Sequence, residues 1–86
     1  MQKMAEQISE LDNVLNSLNE MHDDSSVPRN VRLKIQGIMH LLKQNAELSI
    51  RVNKALSQLD ELSNDVNLQS YTRTQIWNLM SMLEKL

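Results

Sequence analysis

The feature that most limits how this chain can fold is its similarity to itself. A shift of 41 positions lays residues 15–42 over residues 56–83, and eight of those 28 pairs are identical. They are Leu15/Leu56, Leu18/Leu59, Glu20/Glu61, Asp24/Asp65, Arg32/Arg73, Ile35/Ile76, Met39/Met80 and Leu42/Leu83. The leucines and isoleucines fall three or four apart, so each copy holds helical stripes, and a unit of this length has room for two helices and a turn.

Composition points the same way. The chain has one glycine, one proline and no phenylalanine, but many Leu, Met, Gln, Lys and Glu residues. Strands favour β-branched and aromatic residues and turn glycines, so the expected class is all-α. Eighty-six residues suit a single domain, burying roughly 60 to 65 per cent of the surface its unfolded chain exposes. With no cysteine, apolar packing must hold the core, and no thiolate is available as nucleophile or metal ligand. The first ten residues, MQKMAEQISE, contain no apolar signal core, and no run suits a membrane span. A cytoplasmic protein is expected.

Four seams follow in order. Met4, Ile8, Leu11, Leu15 and Leu18 form the first, widened by Val14 and Met21, with an end near Asp23. Ser25 or Ser26 is the expected cap of a second helix with Pro28 in its first turn, and Val31, Ile35, Ile38 and Leu42 are its seam. Gly37 inside that helix predicts close approach of a neighbour. Asn45 is the expected next cap, before Leu48, Val52, Ala55, Leu59 and Leu62. Residues 63–67 break the chain again before Thr72, Ile76, Leu79, Leu83 and Leu86.

Each helix is expected to span roughly 17 to 20 residues, near 27 Å at 1.5 Å per residue. The repeat is similar to the HEAT type of α-solenoid, down to the spacing from Asp24 to Val31-Arg32. Two repeats are too few for a solenoid, so the hairpins (about 4–44 and 46–86) should close on each other as an up-and-down four-helix bundle.

The string TRTQIWNLMSMLE, preceded by LDELSND, resembles the C-terminal signature of a small uncharacterised archaeal family of short four-helix chains. Arg73-Thr74-x-Ile76-Trp77-Asn78 is its most specific piece, and Asp24, Pro28, Asn30, Val31 and Arg32 are similar to the family's first-repeat motif. The resemblance implies a bundle in an archaeal cytosol and no catalytic residues. This chain departs from the family in its second turn, where Val66 and Gln69 replace the usual prolines.

No constellation carries recognisable chemistry, so a non-enzymatic protein without a cofactor is expected. His22 lies among Glu20, Asp23 and Asp24, but the positions three before His22 and His40 are Asn19 and Gly37, not the Glu of a di-iron motif. No metal is expected. Asp24/Arg32 and Asp65/Arg73 share a spacing of eight. Their plain reading is structural, each Arg bonding a turn or covering core with its stem. The functional reading makes Arg32 and Arg73 halves of an anion site, with Arg29 and Lys34 adding charge at the start of helix two. Net charge is only −2, against nucleic acid as a partner. Leu33 and Ile50 sit nearly opposite their seams and Trp77 well off its own, more apolar surface than a small bundle should leave bare. Self-association, as a dimer, or binding of another protein is the favoured function. The alternatives are an accessory nucleic-acid or anion binder, and an enzyme whose site forms only between subunits.

Overall fold

The computed structural model describes the backbone of residues 2–86 and the side chains of residues 10–86. It contains α1 (Gln2–Asp23), α2 (Arg29–Lys43), α3 (Leu48–Ser63) and α4 (Ser70–Glu84), with no strand among the described residues. Each helix packs on its neighbours in the chain and α1 also meets α4, while the backbones of the diagonal pairs, α1/α3 and α2/α4, stay apart among the described residues. The particle measures 42 × 20 × 20 Å.

The core follows the seams closely. Val31, Ile35, Ile38 and Leu42 of α2 are fully buried, as are Ala55 and Leu59 of α3 and Ile76 and Leu83 of α4. Each such aliphatic side chain larger than alanine contributes about 1.5–3 kcal/mol by leaving water. Val27 and Leu68, one in each hairpin turn, close the same end of the core.

Several expectations are corrected. In α1 the buried residues are Val14, Leu18 and Met21, with Leu11 and Leu15 only half-buried. The stripe turns because α1 must meet α4 as well as α2. Met4 and Ile8 lie outside the residues whose side chains are described. The helices are unequal, with 22 residues in α1 and 15, 16 and 15 in the others, because the turns take more of the chain than expected.

Neither Ser25 nor Ser26 caps α2. Pro28 holds that position with φ −55° and ψ 145°, and Ser26 instead donates its backbone N–H (2.9 Å) and hydroxyl (2.7 Å) to Asp24 Oδ1. Asn45 does not cap α3, whose N-cap is Glu47. A Cβ built on Gly37 meets nothing within 4 Å, so no neighbour approaches there. The missing side chain instead helps open a groove of about 440 Å³ beside Lys34, Gln58 and Glu61.

Candidate functional site

The two hairpin turns are built alike, at the 41-residue offset. Asp24 N–H bonds the Met21 carbonyl (3.2 Å) and Asp65 N–H the Leu62 carbonyl (3.1 Å), while Val27 and Leu68 bond back to Asp24 and Asp65. Ser26 N–H and Asn67 N–H each donate to the preceding Asp Oδ1 at 2.9 Å. A short carboxylate thereby takes up a backbone donor of the turn itself.

The paired arginines then differ. Arg73 Nε donates to the Ser63 carbonyl at 2.8 Å and its Nη2 to the Asp65 carbonyl at 2.9 Å. Arg32 is half-buried and its Nε is fully buried without a hydrogen-bond partner. Its charge still helps to hold the Asp24 carboxyl below the usual range, behind the larger effect of the two bonds from Ser26. Arg29 and Lys34 are exposed on α2. Thus Arg29, Arg32 and Lys34 share the start of one helix, whereas Arg73 is committed to carbonyls of the other turn.

All three expected surface residues are in water: Leu33 is 58% exposed, Ile50 46% and Trp77 54%. They lie on α2, α3 and α4, and none belongs to the apolar core. Trp77 is therefore a surface residue. Tyr71 is 70% exposed, and Val66 stands almost free on the second turn. An open groove of about 250 Å³ runs between α1 and α2, with Gln36 and Lys43 on its rim. Another, about 380 Å³, lies between α1 and α4 beside Glu20 and Tyr71. Among the described residues no three His, Asp or Glu side chains are placed to share a metal ion, and no helix is long and apolar enough to cross a membrane.

A family model described as an uncharacterised protein family, UPF0147, matches residues 1–86. The chain belongs to that family. A UPF0147 protein of Methanosarcina acetivorans is 46% identical over 71 residues, covering 81% of this chain and 73% of the relative. One from Archaeoglobus fulgidus is 41% identical over 76 residues, covering 88% and 87%. The fold is similar to the crystal structure of an unknown-function protein, MMP1188, with a TM-score of 0.84 and 37% identity over 90% of this chain and 89% of that one.

Membership of UPF0147 brings an archaeal family but no activity, so residue roles rest on geometry. One such role was missed in the sequence. Arg51 ties the middle turn, donating from Nε to the Ala46 carbonyl (2.9 Å) and from Nη1 to the Leu42 carbonyl (2.6 Å). Its counterpart 41 positions back is Glu10. The repeat, which drew attention to Arg32 and Arg73, could not signal it.

Proposed function

We propose that this UPF0147 chain is a non-enzymatic interaction module that self-associates, with a dimer as the first product. In this reading two HEAT-like hairpins form an up-and-down bundle, a cytoplasmic scaffold for an apolar surface including Leu33, Ile50 and Trp77. The observation that carries it is the half-exposed Trp77. Tryptophan brings large contact area and is enriched in interfaces, and a small bundle gains nothing from leaving it wet. The short connections and closed ring of packed helices support the bundle. Light scattering across a dilution series tests the reading. A mass above 10.0 kDa that falls on dilution is expected, and a monomer at every concentration overturns it.

A second reading has its own observation. The buried Arg32 Nε has no partner while Arg73 is satisfied, which favours an anion or nucleic acid at Arg29, Arg32 and Lys34. Such binding would weaken steeply with salt through counterion release. RNA binding that ignores salt, or none at low salt, would refute it.

A further inference from the structure

A chain made of two related hairpins has two related outer faces, and here they differ in a complementary way. The α1/α2 face carries the groove of about 250 Å³, lined by Asn19, His22, Gln36, Met39, His40 and Lys43. The residues 41 positions on are Asp60, Ser63, Trp77, Met80, Ser81 and Glu84, on α3 and α4. Where the first face has Gln36 beside an open groove, the second has the chain's single tryptophan standing half in water. The groove suits one large side chain and falls below the roughly 300–1,000 Å³ of small-molecule pockets. Met39 on its wall offers an adaptable surface that packs well against an aromatic ring.

We propose that a second copy of this chain fills the groove, the Trp77 indole of one copy entering the α1/α2 groove of the next in a head-to-tail contact. The proposal rests on the self-association reading and names its surface. Short connections between packed neighbours make successive helices antiparallel, so α2 and α4 run the same way. Their boundaries, Arg29–Lys43 and Ser70–Glu84, are also 41 residues apart at both ends. A copy displaced sideways without turning therefore lays its α3/α4 face on the α1/α2 face of its neighbour with levels matched. Then α4 lies over α1 and α3 over α2, so that Trp77 meets the groove at the level of Gln36.

Charge supports that register. Lys43 on the groove wall and Glu84 on the opposing face share one level, 41 residues apart in the chain. Each pair of copies keeps one open groove and one free Trp77, so association continues past the dimer unless it closes into a ring.

Two complementary variants test this. Trp77→Gln removes the plug, while Gln36→Trp fills the groove with the residue that its repeat partner already carries at an exposed position. Both should keep wild-type helicity by circular dichroism. Light scattering of the wild type should show mass rising past the dimer with concentration. Each variant alone should associate roughly 30-fold more weakly, as for loss of a central interface aromatic. Mixed in equal amounts, they should form a 1:1 heterodimer of wild-type affinity that grows no further. Lys43→Glu and Glu84→Lys should each weaken association by about three- to fivefold, and the double exchange should restore it. If the wild type associates but both variants associate equally well alone, or the weakened variants fail to pair, this contact is overturned and self-association stands. A wild type that stays monomeric overturns both.

Discussion

The first hairpin turn, residues 24–28, and the second, residues 64–69, reach the same backbone by different means. Pro28 enters α2 with φ −55° and ψ 145°, and Gln69 enters α4 with φ −68° and ψ 149°. The first turn restricts the chain covalently, since the proline ring leaves the unfolded state fewer conformations to lose. In the second, a guanidinium holds two turn carbonyls. Ser63, whose hydroxyl donates to the Asp60 carbonyl at 2.7 Å, leaves its own carbonyl to Arg73, and His22 stands at that position in the first hairpin. The second turn of this chain is therefore held without a proline.

The comparison can be broken at several levels. The largest effects lie in the shared core. Ile35→Ala and Ile76→Ala each remove a fully buried side chain and should cost about 2–5 kcal/mol. Urea unfolding of both should give similar losses, and a large difference would show that the hairpins do not share one core. Next come the arginines. Arg73→Met keeps the stem but frees two carbonyls and should cost about 1.5–3 kcal/mol, whereas Arg32→Met removes an unpartnered donor and should stay within about 0.5 kcal/mol of wild type. Equal melting temperatures for the two variants would refute the division of labour.

Gln69→Pro transplants the first device into the second turn. The backbone already has the required φ, so a gain of about 0.4–1 kcal/mol in chemical denaturation is expected, and a loss would mean that the turns are not equivalent.

The smallest effect concerns Asp24, held below its usual 3.8 chiefly by the Ser26 hydroxyl and N–H and less by Arg32. Because the folded-state pKa is lowered, the stabilisation is complete above the unfolded value and fades as pH falls through the folded one. Ser26→Ala should move the Asp24 carboxyl back toward 3.8 in an NMR titration. An unmoved titration would remove the hydroxyl as the main cause.

Much of the fold was legible because the core is a matter of period. Residues three and four apart on a helix share a face whatever lies opposite, so Val31–Ile35–Ile38–Leu42 and Thr72–Ile76–Leu79–Leu83 could be read directly and are the buried sets of α2 and α4. The Asp–Arg spacing was legible too, but the plain reading that each arginine bonds a turn holds for Arg73 and not for Arg32, whose Nε has no partner. That Arg73 bonds carbonyls and Arg51 clamps the middle turn was not legible, since a backbone acceptor has no letter in the sequence.

By itself, then, the sequence determined the class, the four helices and most of the buried stripes of α2, α3 and α4, because periodicity is a local property. Only the tertiary structure decided the side of α1 that faces inward, the capping of each helix, the open space at Gly37 and the exposure of Trp77. Each of these depends on what stands across a gap from a side chain, and residues far apart in the chain supply that neighbour.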